Sequence, residues 1–133
     1  MIIQKNYILA EKILRIGLGI TILWFGLSQL ISPQNWVGFL PEWAFTQSFI
    51  TTITLVYFNG IFETLTALML VTNQYSKTVA FLLALHMLII IYHLGYNDLA
   101  VRDFGLFVGF VALLHLCDNV SILNRNKRKE KNK

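Results

Sequence analysis

Four apolar stretches, each about long enough to cross the hydrocarbon core of a bilayer, take up most of the 133 residues. A run of this length and polarity is read as a transmembrane helix, and the spans are expected at residues 13–31, 49–71, 78–94 and 104–123. Composition agrees: the chain is 56% hydrophobic and 14% charged, where a soluble domain carries roughly a quarter charged residues. Spans of 17 to 23 residues with short connections leave no length for a second domain.

Punctuation between the spans supports this division. Pro33 cannot continue a helical hydrogen-bond ladder, and Trp36, Pro41 and Trp43 give the following segment the look of an interfacial stretch. Residues 72–76 and 95–98 read as turns, and connections this short force neighbouring helices to be antiparallel. The first apolar run is long for a signal peptide and lacks a small-x-small cleavage site, so it is expected to remain attached.

Charge then sets the threading. Lys5, Lys12, Arg15, Lys77 and the six basic residues of 124–133 fall on one side of the spans, and Arg102 alone falls on the other. By the positive-inside rule both termini are expected to be cytoplasmic in a multi-pass protein of the cell membrane. The predicted fold is all-α: an antiparallel four-helix transmembrane bundle over residues 1–123, with an interfacial segment after the first helix. Residues 124–133 are expected to form a disordered basic tail that meets anionic lipid headgroups rather than nucleic acid. Cys117 is the only cysteine, so neither an intramolecular disulfide nor Cys-x-x-Cys chemistry is available. Thiol oxidation coupled to quinone is thereby excluded.

Polar residues inside the spans are the candidates for function, because such groups are costly against lipid. On the first span Arg15, Gly19, Gly26 and Gln29 share one face. The second carries Thr52, Asn59, Glu63 and Thr66, the third His86 and His93, and the fourth opens on Arg102 and Asp103 and holds His115. Gly105 and Gly109, with Ala112 beyond them, suggest a small-residue packing face. At about 1.5 Å per residue, Glu63, His86 and His115 should lie at one depth, and Gln29, His93, Arg102 and Asp103 should gather nearer the opposite surface.

Each has a structural and a functional reading. Glu63 could form an ion pair with Arg15 or a hydrogen bond, or else serve proton transfer or ligand binding. His86 and His115 could be hydrogen-bonded packing residues, His93 part of a polar rim, and Asp103 a helix-start residue favoured by the helix dipole. His86 and His115, two imidazoles on neighbouring helices at one level, have the chemistry to hold haem, but spacing alone is weak support and haem is not favoured. With no His-x-x-Glu or paired-carboxylate motif, no metal site is expected.

The stretches Arg15-Ile-Gly-Leu-Gly19, Trp24-Phe-Gly-Leu-Ser-Gln29, Pro33 with Trp36 and Pro41, Gly60-Ile-Phe-Glu63 and Arg102-Asp-Phe-Gly-Leu106 resemble, in order and spacing, the DoxX family of small four-helix membrane proteins. The resemblance runs from about Lys12 to Leu123. Some relatives are subunits of a thiosulfate:quinone oxidoreductase, and others are linked to membrane redox and oxidative-stress complexes. What the resemblance implies is a membrane redox subunit, with Arg15, Glu63, Arg102 and Asp103 carried over as a polar site. Gln29 departs from the pattern, since many relatives have lysine there, and the lost charge argues against an anionic sulfur substrate.

Two functions are therefore expected to compete. One is a subunit of a quinone-linked redox system that binds a small amphipathic ligand among Arg15, Gln29, Asn59, Glu63, His86, His93, Arg102, Asp103 and His115, alongside a redox partner. The other is a non-catalytic carrier or assembly subunit, including a homo-oligomer. The residues name no cofactor beyond a quinone and do not decide whether the chain is an enzyme.

Overall fold

The computed structural model describes residues 2–46 and 49–131 and is helical throughout, with α1 (Ile2–Ile31), a 3₁₀ helix (Pro33–Phe39), α2 (Glu42–Phe45), α3 (Phe49–Val71), α4 (Ser76–Leu94) and α5 (Asp98–Lys131). Four of these, α1, α3, α4 and α5, are long and apolar enough to cross a membrane. They correspond to the four expected spans. α1 packs along α3 and α5, and α4 packs along α5, whereas α3 and α4 meet only over a short stretch.

Helix ends follow the local chemistry. The turn after α3 uses Asn73 and Tyr75 at positive φ, and Ser76 Oγ donates to Asn73 Oδ1 at 2.7 Å. α4 stops at Gly95, whose φ of 65° suits the residue that lacks a Cβ. At the chain ends the helices overrun the expected spans. α1 begins in the polar leader, and α5 continues to Lys131. Beyond Gly109 the sequence contains neither glycine nor proline to stop it.

The face of α1 that carries Arg15, Gly19, Gly26 and Gln29 lies against α3 along its whole length. Climbing α1 from Arg15 to Gln29 descends α3 from Val71 to Asn59, so the two run in opposite directions. Arg15 does not reach Glu63. Its Nη1 donates to the carbonyls of Leu70 and Val71 at 2.8 and 2.9 Å, and its Nε pairs with Glu11 at 2.7 Å. These carbonyls sit at the end of α3, where Leu70 O also accepts from Asn73 N at 3.1 Å and the helix dipole favours a cation. Arg15→Leu is expected to lower stability by about 2 kcal/mol, because buried Glu11 and two carbonyls then lose a charged donor. Thermal unfolding in detergent measures this, and an unchanged midpoint would show that the cap contributes nothing.

Packing divides the bundle into two halves. Toward the chain termini, Leu18, Ile22, Ala67, Leu70, Val79, Ala80, Leu83, Phe110 and Leu113 form a closed apolar core. Lys77 and Asp118 add an exposed ion pair between α4 and α5 at this end. Toward the loops, α1 stops early: Gln29 meets Asn59, yet α3 runs ten residues further, leaving a step of about 12 Å. The 3₁₀ helix and α2 fold into that step. Thr52 Oγ1 donates to Ala44 O at 3.2 Å, and Trp36 Nε1 donates to Ser28 Oγ at 3.1 Å.

Candidate functional site

Bounded by that segment and by α1, α3, α4 and α5 is a pocket of about 430 Å³ in the loop-side half of the bundle. Its walls are mainly apolar and aromatic. Trp24, Phe25, Trp36 and Phe39 follow one another edge to face, with ring centroids 5.4 to 5.9 Å apart, an arrangement that aromatic quadrupoles favour. Trp43 contributes at the loop end, where its ring meets that of His93. A shallower cleft beside His93, Asn97 and Asp98 adjoins the pocket there.

The opposite end of the pocket is polar. Glu63, 2% exposed, accepts from Gln29 Nε2 at 2.7 Å on one carboxyl oxygen. On the other it accepts from Asn59 Nδ2 at 3.1 Å and contacts His86 Nε2 at 3.1 Å. Asn59 Nδ2 also donates to Gln29 Oε1 at 2.8 Å, closing a ring of three side chains from α1 and α3, to which α4 adds the histidine. The Phe62 ring lies 4.9 Å from that of His86 and holds it from the side. A buried carboxylate needs this many donors if it is not to be a large penalty in a low-dielectric interior.

On α5, Asp103 is 2% exposed and accepts from Arg102 Nε at 2.8 Å. The Arg102 guanidinium lies 4.6 Å over the centre of the Phe25 ring, a cation–π contact, and both residues border the pocket.

Seven of the nine residues singled out from the sequence therefore border one space: Gln29, Asn59, Glu63, His86, His93, Arg102 and Asp103. Arg15 and His115 lie elsewhere. His115 is exposed on α5 and spends Nδ1 on the Val111 carbonyl at 3.2 Å, so the two imidazoles placed at one depth do not form a pair. Among the described residues no three His, Cys, Asp or Glu side chains are grouped as metal ligands. The aromatic wall does not stand out in the sequence, because Trp36 and Trp43 have the look of interfacial anchors. Five large aromatic rings between Trp24 and Trp43 were the available signal.

These features define a small multi-pass membrane protein with an amphipathic pocket inside its helix bundle. The sequence profile of the DoxX family matches residues 10–95, and the chain belongs to that family. No curated protein and no solved structure matches the chain. The matched region contains Gln29, Asn59, Glu63, His86 and His93 but ends before α5, so the place of Arg102 and Asp103 rests on geometry alone.

Proposed function

We propose that this protein is the membrane subunit of a quinone-linked redox system and that the pocket binds a small amphipathic molecule drawn from the bilayer. The observation that carries the reading is an apolar, aromatic-walled pocket that ends on the hydrogen-bonded cluster of Gln29, Asn59, Glu63 and His86. Apolar walls with a few convergent polar groups are the usual form of a small-molecule site. A quinone, when bound, supplies two-electron chemistry that the side chains lack, and its reduced form carries the ring hydroxyls. The chain itself orients the ring against Trp36 and Phe39, holds a proton at His86 Nε2 against Glu63, and offers Arg102 to a ring oxygen. The skew of basic residues supports cytoplasmic termini, with the loop end of the pocket on the far side of the membrane.

Purification from native membranes, followed by organic extraction, tests this. A quinone-class molecule in the extract, together with quinone reduction that falls several-fold in a Glu63→Gln strain, is the expected result. An empty extract with unchanged quinone reduction would overturn it.

A second reading, an assembly subunit, is favoured by one face of α5. Gly105, Ala112 and His115 are exposed there, and no atom comes within 4 Å of a Cβ built on Gly105. Small residues with a polar group at membrane depth suit contact with another helix.

A further inference from the structure

We infer that the pocket selects a ligand headed by a hydrogen-bond donor, a hydroxyl on a flat apolar body such as a phenolic ring, and seats that hydroxyl between Asn59 and His86. The inference rests on the small-molecule reading of the pocket and names the chemistry of its ligand.

Asn59 commits its Nδ2 to Gln29 and Glu63, which leaves Oδ1 with no partner among the described residues. Both Glu63 oxygens accept amide N–H bonds; with Glu63 as a carboxylate and the ring neutral, His86 donates through Nε2–H, and Nδ1 is an acceptor with no partner among the described residues. Asp103 accepts from Arg102 on one oxygen, and its other oxygen has no partner among the described residues, although the residue is almost wholly buried. None of these three atoms is sealed, since Thr64 Oγ1 is the one buried side-chain atom without a partner among the described residues. All three residues border the pocket.

The donors left over, the second amide hydrogen of Gln29, the indole N–H groups of Trp24 and Trp43 and the Nη groups of Arg102, belong to other residues, so at Asn59 and His86 themselves the open atoms accept. A carbonyl or ether oxygen brought to Asn59 and His86 would face lone pairs, while a hydroxyl would satisfy one of them. A site built to pair a hydroxyl rejects an analogue that lacks it, because its own polar groups are then desolvated without compensation. The edge-to-face aromatic wall accounts for the flat apolar body.

All three tryptophans of the chain border the pocket, so intrinsic fluorescence reports its occupancy. The full-length protein in nanodiscs is titrated with para-hexylphenol and with para-hexylanisole, which share ring and tail and differ in the hydroxyl hydrogen. The phenol is expected to bind at least about tenfold more tightly. His86→Phe, which keeps a ring beside Phe62, should bring the two probes within about threefold while leaving the anisole affinity in place. Equal binding of the two probes to the unmodified protein, or tighter binding of the anisole, would overturn the inference and leave the apolar pocket standing. If neither probe produces a saturable change at the tryptophans, the small-molecule reading itself falls, and this inference falls with it.

Discussion

Gly26→Ala is expected to lower bundle stability by about 2–3 kcal/mol and to loosen the hydrogen bond between Gln29 and Glu63, although it adds a single methyl group. A Cβ at this position would stand 2.5 Å from Thr64 Oγ1, 2.7 Å from Thr64 N and 2.9 Å from Gly60 O. Two of those atoms are backbone and cannot rotate away, so α1 must retreat from α3. Helix association within lipid depends on close packing rather than on the hydrophobic effect, which makes such a retreat costly. Gln29 lies one turn further along α1 and would be carried away from Glu63. Two comparisons isolate the cause. Gly17→Ala, with no atom within 4 Å of the added carbon, should be neutral or gain up to about 1 kcal/mol of helix propensity. Adding Thr64→Ala to Gly26→Ala should not restore stability, because the backbone nitrogen and carbonyl remain. Unfolding in detergent measures all of these, and a Gly26→Ala protein as stable as the unmodified one would remove the close approach as a determinant of the fold.

The same contact shows what the sequence could disclose. Glycine, arginine and glutamine at helical spacing on the first span implied a face reserved for another helix, and every one of them meets α3. The ends at Ile31, Val71 and Leu94 were legible because Pro33, the turn at 72–75 and Gly95 break the helix chemically. The start of α1 and the end of α5 were not, since polarity marks where lipid ends and not where a helix ends.

Depth was the weaker inference. Measuring each residue from its own helix end assumes that the helices start level, and α1 stops about 12 Å short of α3. Depth counted in this way puts Gln29 at the rim, whereas it binds the glutamate at the polar end of the pocket. His115 had a plausible depth but the wrong azimuth. Leu113 is fully buried, and two residues further on, about 200° around the helix, a side chain points away from the bundle. Rotation of a helix about its axis is fixed by tertiary packing, here Leu18 against Gly109 and the burial of Phe110, and one sequence does not carry it.

Glu63→Leu is expected to cost about 2–4 kcal/mol, as Gln29 Nε2 and His86 Nε2 lose their acceptor and Asn59 keeps only its bond to Gln29. Two effects oppose each other. Removing a buried carboxylate relieves its desolvation, but stranding its donors incurs theirs, and the donors outnumber the acid. Side-chain hydrogen bonds inside membranes average only about 0.6 kcal/mol, which sets the lower end of the range. Glu63→Gln keeps one acceptor oxygen and should cost less than about 1 kcal/mol. Replacing the whole cluster, with Glu63→Leu, Gln29→Leu, Asn59→Leu and His86→Phe together, should return stability close to that of the unmodified protein, because no donor is then left unpaired. That fourfold variant separates stability from function: a cluster present only to hold the bundle can be exchanged for apolar side chains without consequence. If the cluster is a site, the exchanged protein unfolds normally in detergent and no longer distinguishes the phenol probe from its ether. A fourfold variant that keeps this preference would place the discrimination elsewhere in the pocket, on Arg102 and Asp103.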